Sequence, residues 1–290
     1  KIEELDKFIY KETRISKFPQ YKKNYYNFFT DYAKKNYQLI DNDCLCKSKN
    51  DIILSETDRH CVEFCTVVCK SCGLIRAKEY FRDKDVIDFY QNFYRKENYY
   101  EHQKNVSSSD KFYDQKSQFK PKFDLIQKFK RKELKNLKIL DLGGGAGGSL
   151  DLFDKSNELY LFDFYEPYLD FAKTKGIKSF KGGLENINFK PDLIIISHVM
   201  EHWNNFDKEM KKLIDVQKIG ETINYIEFPG IDSLKDGRHQ GDILRDIHVP
   251  HVYYFSSYVF ENLMNRYGFE KLYIDNKIRS LFIYTGKKTK

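Results

Sequence analysis

From Leu137 onward the chain switches between two hydrophobic periods. Short runs that are almost wholly apolar, at 137–142, 158–163, 177–180, 191–196 and 222–228, read as buried strands. Between them, stretches at about 147–154, 166–175 and 204–216 space their apolar residues three or four apart, which predicts helices. Such alternation predicts an α/β fold built on a doubly wound parallel sheet with helices on both faces. The end of the chain departs from it. A helix at about 256–267 stops at Gly268, and apolar runs 269–275 and 280–285 flank the polar Asp275–Ser280, predicting an antiparallel closing pair.

The first 135 residues have a different texture. Residues 1–41 read as helical and aromatic-rich, broken at Pro19, and residues 42–80 hold all six cysteines. Residues 81–135 carry tyrosines and phenylalanines at near-helical spacing, then a polar loop at Val106–Asp110, after which Pro121 opens a helix to about Leu137. The organisation expected is an N-terminal helical segment (1–41), a metal-binding subdomain (42–80), a helical lid or linker (81–135) and a cofactor-binding sheet domain (136–290).

Composition narrows the function classes. With 290 residues, 41% hydrophobic and 16% aromatic, the chain can bury a large core. It has no run of 18 apolar residues, so no membrane span is expected. It begins at Lys1 in a charged stretch unlike a signal peptide, and a cytoplasmic location is expected. The net charge of +7 is spread along the length rather than gathered in an arginine-rich tract. That argues for a solvated surface or a small acidic acceptor, and against a stable nucleic-acid partner. Oligomeric state is not readable.

The richest segment is Lys138-Ile-Leu-Asp141-Leu-Gly143-Gly144-Gly145-Ala-Gly147-Gly148. An apolar strand runs into glycines, where a ligand can lie against bare backbone and a following helix can offer its free N–H groups. The Gly-x-Gly-x-x-Gly spacing alone also fits a dinucleotide site. Asp141 stands where such a site wants an apolar residue, and Asp163, about twenty residues on, closes the second strand where an acid can accept both ribose hydroxyls. The fourth strand, Asp192–Ile196, then delivers Ser197-His198-Val-Met-Glu201-His202 to the carboxyl edge of the sheet, where doubly wound folds bind ligands.

On these residues, with Gly183-Leu184-Glu185, Ile226-Glu227-Phe-Pro-Gly230 and His251-Val-Tyr-Tyr-Phe-Ser256, the chain resembles class I S-adenosylmethionine-dependent methyltransferases over roughly 136–286. The resemblance implies a seven-stranded Rossmann-like sheet with an antiparallel last strand. It implies that Gly143, Gly145 and Gly147 pack against the methionine part of the cofactor and that Asp163 holds the ribose. Leu184 would lie near the adenine, and Ser197 and His198 at the sulfonium end. Asp141, Gly144, Phe164 and Gly183 complete the expected cofactor set.

Cys69-Lys-Ser-Cys72-Gly73 reads as a knuckle, and Cys44-Leu-Cys46 supplies a second pair. Two pairs at this separation suit a structural four-thiolate zinc site, with Cys61 and Cys65 left over as buried thiols or competing ligands. With Asp58-Arg59, Phe89-Tyr90 and Tyr94, this region is similar to the zinc-containing N-terminal part of methyltransferases acting on deoxysugars and surface-glycan precursors. That resemblance implies a nucleotide-linked sugar, or another capsule or lipopolysaccharide precursor, as acceptor. The methylated atom (oxygen, nitrogen or carbon) stays open, as do a phosphate-type or nucleic-acid acceptor and an NAD-dependent enzyme of the same fold.

Methyl transfer to a hydroxyl or enolisable carbon needs a proton acceptor, and imidazole is well suited to that near neutral pH. His202 is the first candidate, with Glu201 and His251 beside it in the catalytic set; the alternative is that Glu201-His202 merely begins a helix. Tyr90, Tyr94, Tyr99 and Tyr100 on the lid, with Glu227, His248 and Arg245, are candidate substrate contacts. Arg245 and Lys104 could meet a pyrophosphate.

Overall fold

The structure, a computed structural model, describes residues 20–60, 62–94, 107–129, 133–249 and 251–288. Described residues up to 94 form one compact unit with 201–204 and 231–259; the remainder form a second. Following the chain, the first unit contains α1 (Gln20–Asn36), β1 (Leu39–Asp41), β2 (Asp51–Thr57), β3 (Glu63–Cys69), β4 (Ile75–Ala77), β5 (Glu79–Phe81) and α2 (Asp83–Phe89). The second begins with α3 (Ser108–Phe129) and continues through β6 (Lys138–Leu142), β7 (Glu158–Asp163), α4 (Glu166–Thr174), β8 (Lys178–Lys181), β9 (Leu193–Ser197), α5 (Phe206–Asp215) and β10 (Ile223–Glu227). The chain returns to the first unit for β11 (Tyr253–Tyr254), then runs through α6 (Ser257–Arg266), β12 (Phe269–Ile274) and β13 (Arg279–Tyr284).

In the first unit, an antiparallel sheet of order β11-β4-β3-β2 is accompanied by the two-stranded ladder β1-β5. Its core is aromatic. Phe29 of α1 meets Phe81, Phe89 and Phe93 at ring distances of 5.2–6.5 Å. A single π-turn at Tyr90–Tyr94 extends α2. The buried Arg76 on β4 grips Asp51 on β2 with two hydrogen bonds of 2.8 and 3.0 Å. Forked pairing of this kind satisfies a guanidinium removed from water.

The second unit is a seven-stranded sheet of order β12-β13-β10-β9-β6-β7-β8. Strands β6 to β10 are mutually parallel, and β13 is antiparallel to both neighbours, β10 and β12. The expected α/β class, the strands and the closing pair are all present. Leu193–Ile196 of β9 are completely buried, as expected for a strand covered on both faces.

Three expectations need correction. The helix assigned to start at Pro121 starts at Ser108, and Pro121 lies inside it. Ser107 caps it, accepting the Asp110 amide at 3.0 Å. An interior proline costs about 3 kcal/mol. Burial of Phe112, Phe119 and Ile126, spaced seven apart along one face, offsets that cost. The helix expected at 147–154 is only a 3-10 turn, Leu150–Leu152. Adjacent glycines disfavour a helix there, and the backbone of α3 lies close against Gly148: a Cβ on it would sit 1.9 Å from the Phe112 carbonyl oxygen. Finally, residues 107–129, grouped from sequence with a lid, and residues 231–259, grouped with the sheet, exchange places: α3 covers the sheet, while β11 pairs with β4.

Candidate active site

The glycine loop leaves β6 at the centre of the second unit's sheet. Gly143, Gly145 and Gly147 have φ of +67°, +58° and +81°, which side chains with a Cβ adopt only under strain. Asp141, 2% exposed, braces the loop from beneath by accepting the Ser149 hydroxyl. Burial pushes its carboxyl up to about 7. Any Cβ on Gly144 would fall 2.3 Å from the Asp141 carboxyl carbon, so this pair fixes the loop's height above the strand.

Asp163, at the end of β7, accepts the Gly145 amide through one oxygen and the Tyr165 amide through the other, both at 2.9 Å. Phe164 beside it is 70% exposed. Past β8, Gly183 precedes a 3-10 turn that buries Leu184. On β9, Ser197 is paired with Glu227 of β10. His198 adopts φ +56°, its amide donates to the Glu227 carbonyl at 2.8 Å, and its imidazole is half exposed. The Glu227 carboxylate receives Lys122 of α3 at 2.8 Å and the Tyr225 hydroxyl at 2.7 Å, with His198 Nε2 3.9 Å away. Glu227, a candidate substrate contact, is therefore held in a largely buried ion pair.

Two residues of this region were not foreseen. The Gln115 side chain donates to the Gly144 carbonyl at 3.1 Å and accepts the Ala146 amide at 3.0 Å, clamping both edges of the loop. Lys122 is the other. Both sit on α3, and reading Pro121 as a helix start concealed Gln115; the spacing Phe112, Phe119, Ile126 was the signal for a helix running through it.

A family described as a methyltransferase domain matches residues 113–274, more than half of the chain. The chain belongs to this methyltransferase family. Among solved structures, the methyltransferase is similar to a SAM-dependent methyltransferase from Aquifex aeolicus (16% identity, 56% of this chain and 86% of that chain, TM-score 0.42). It is also similar to the magnesium protoporphyrin IX methyltransferase of Synechocystis PCC 6803 with bound SAH (15% identity, 69% and 98%, TM-score 0.46). No curated protein matches it. The enzyme is an S-adenosylmethionine-dependent methyltransferase, which removes the NAD alternative. The donor set fits that cofactor: a bare-backbone loop, an acid at the second strand end, and an exposed aromatic ring beside it.

The first unit of the methyltransferase holds two further clusters. Cys44, Cys46, Cys69 and Cys72 converge, all four sulfurs within 4.8 Å of one another and the pairs Cys44–Cys46, Cys44–Cys72 and Cys46–Cys69 at 3.4–3.6 Å. Four thiolates around a zinc ion at about 2.3 Å define a tetrahedron with edges of about 3.8 Å, so the arrangement fits. Burial opposes ionisation of Cys69, but the amides of Cys72 and Ser71 outweigh it and bring its thiol down to about 7. Cys65 stands outside the four-sulfur group, and burial pushes its thiol up. Cys61 lies outside the described residues.

Glu201, His202 and His251 form the second cluster, with ligand-type atoms within 4.8 Å of one another. The Val252 amide donates to the Glu201 carbonyl at 2.8 Å, and Val252 in turn accepts the Ala77 amide, tying residues 201–204 to the antiparallel sheet. The His202 ring lies 4.8 Å from that of His251 and 6.3 Å from that of Tyr90. The His248 ring lies 3.9 Å from that of His251, tilted against it by 51°, and its Nδ1 bonds the Asp246 carbonyl at 2.9 Å. Burial, with Arg59 nearby, pushes His248 well below the ordinary imidazole range. Arg245 is exposed, and it is Arg238 that pairs with Asp246. Tyr99, Tyr100, Lys104 and the side chain of Tyr94 fall outside the description.

Proposed function

We propose that the enzyme transfers the S-adenosylmethionine methyl group to a small acidic acceptor, a nucleotide-linked sugar or another capsule or lipopolysaccharide precursor. Gly143, Gly145 and Gly147 would receive the methionine portion, and Asp163 would exchange its Gly145 amide for the ribose hydroxyls. Phe164 and Leu184 would flank the adenine, while Ser197 and His198 border the sulfonium. The bound cofactor supplies an electrophilic methyl group; the protein must align the acceptor and remove its proton.

The observation that carries the acceptor-side reading is the convergence of Glu201, His202 and His251 beside Tyr90, on a turn that follows β9 directly in the chain. His202 would take the acceptor proton, and Tyr90 would offer a face to a sugar ring. The four cysteines would bind a structural zinc ion that holds the first unit together, since all four ligands come from protein and none is left open for chemistry. Excess positive charge over the chain agrees with an acidic acceptor.

Incubating the enzyme and S-adenosylmethionine with a panel of nucleotide sugars, read by mass spectrometry, tests this. One member should gain a methyl mass, and His202→Ala should abolish the gain while cofactor binding survives. A blank panel with cofactor bound would exclude this acceptor class, and near-wild-type turnover in His202→Ala would end the base assignment.

A further inference from the structure

The cluster of Glu201, His202 and His251 has a donor set of one carboxylate and two imidazoles, which is a metal-binding composition in its own right. We infer that these three residues bind a first-row divalent transition-metal ion, separately from the four-cysteine site. Three observations carry it. The three ligand-type atoms lie within 4.8 Å of one another, and His202 Nε2 is 3.8 Å from Glu201 Oε1. Coordination at about 2.1 Å brings neighbouring ligand atoms to about 3 Å, so the group needs to contract by about 1–2 Å, within reach of side-chain rotations.

The carboxylate of Glu201 is only 1% exposed, and a carboxylate taken so far out of water is stabilised by a cation at its side. Last, the His251 ring is confined from one side: the ring of His248, itself fixed by its bond to the Asp246 carbonyl, lies 3.9 Å from it. Two imidazoles select a transition metal over Mg²⁺ or Ca²⁺, and three protein ligands leave positions open for an acceptor oxygen. An ion held by His202 would replace that imidazole as the acceptor-activating group, so the ion's use rests on the acceptor-side reading above, with the base role passing from His202, while its binding does not.

Titration of the chelator-treated, reduced full-length protein with Co²⁺ alone tests the inference. Wild type should bind two ions. One should give intense thiolate charge-transfer bands from the cysteines, and the other only weak ligand-field bands. His202→Ala/His251→Ala should lose the second and keep the first, the thiolate bands serving as the folding control; Glu201→Gln replaces the double variant if those bands are absent. A single, thiolate-bound Co²⁺ in wild type, or a second ion retained by the double variant, would overturn the inference. Turnover is read in parallel: a single ion with loss of methyl transfer in His202→Ala would leave the base reading standing and overturn this one. Two ions with unchanged turnover would do the reverse.

Discussion

Gly148→Ala probes the contact between α3 and the cofactor loop. The new methyl would lie 1.9 Å from the Phe112 carbonyl oxygen and 2.8 Å from the Lys116 amide nitrogen, both backbone atoms of one helix. No rotamer can relieve that contact, so loop and helix must separate by more than about 1 Å. Overpacking of this kind costs about 1–3 kcal/mol. Separation also pulls Gln115 off the Gly144 carbonyl and Ala146 amide, and each such bond contributes about 1 kcal/mol. The expected loss is about 3–5 kcal/mol, a large part of the stability of an ordinary domain. The control is Gly220→Ala, where φ is +73° and nothing lies within 4 Å of a Cβ; left-handed strain alone costs about 1–2 kcal/mol. Urea unfolding followed by circular dichroism gives both losses, and calorimetry with S-adenosylhomocysteine gives the loop's competence. Gly148→Ala should cost at least twice as much as the control and weaken S-adenosylhomocysteine about tenfold or more. A Gly148→Ala enzyme as stable as Gly220→Ala, binding with wild-type affinity, would refute the reasoning.

Asp163→Ala should weaken S-adenosylhomocysteine by roughly 10–100-fold, two charge-assisted hydrogen bonds being lost, and lower the melting temperature modestly, since the Gly145 and Tyr165 amides lose their acceptor; unchanged affinity by calorimetry would remove its ribose role. Asp141 titrates at about 7 when folded against 3.8 in the reference state. The folded protein therefore retains a proton that the unfolded chain releases, and stability falls as pH rises from about 4 to about 7. Asp141→Asn does not titrate, so its stability relative to wild type should climb by up to about 4 kcal/mol across that window; a flat difference in urea melts from pH 4.5 to 8 would contradict it. Chelation should release one zinc per four-cysteine site, measurable by mass spectrometry of the metal, and lower the melting of the first unit while leaving the sheet unit's transition in place. An unaltered melt with no metal released would count against zinc.

Much of the second unit was legible because its strands are bare apolar runs between turns, and periodicity reports burial directly. Ile194–Ile196 could be nothing but a central strand, and the acid at the end of β7 falls where the glycine loop requires it. What escaped was set by packing. Pro121 looks like a helix start because its local cost is plain in sequence, whereas the compensating burial of Phe112 and Phe119 is tertiary. The short turn at Leu150–Leu152 replaces a helix because α3 lies against it, which no local pattern reveals. Likewise the spacing of Cys44, Cys46, Cys69 and Cys72 was readable, but the meeting of His202 with His251 depends on β11 pairing with β4, a contact between distant parts of the chain.

That pairing imposes an order of assembly. Strand β11 is the outer strand of a sheet whose other members lie far earlier in the chain, and the residues between include most of the parallel sheet. A growing polypeptide can close the cysteine knuckle and stack the aromatic core early, yet Arg76 must wait for Tyr253 until β6 through β10 have been synthesised. Long-range closures of this kind are slow and leave an open strand edge in the interval. A fragment ending before residue 253 would expose the β4 edge permanently. Attempts to produce the N-terminal unit alone should therefore yield self-associating material unless β11 is supplied, for instance by grafting residues 246–259 onto its end through a flexible linker.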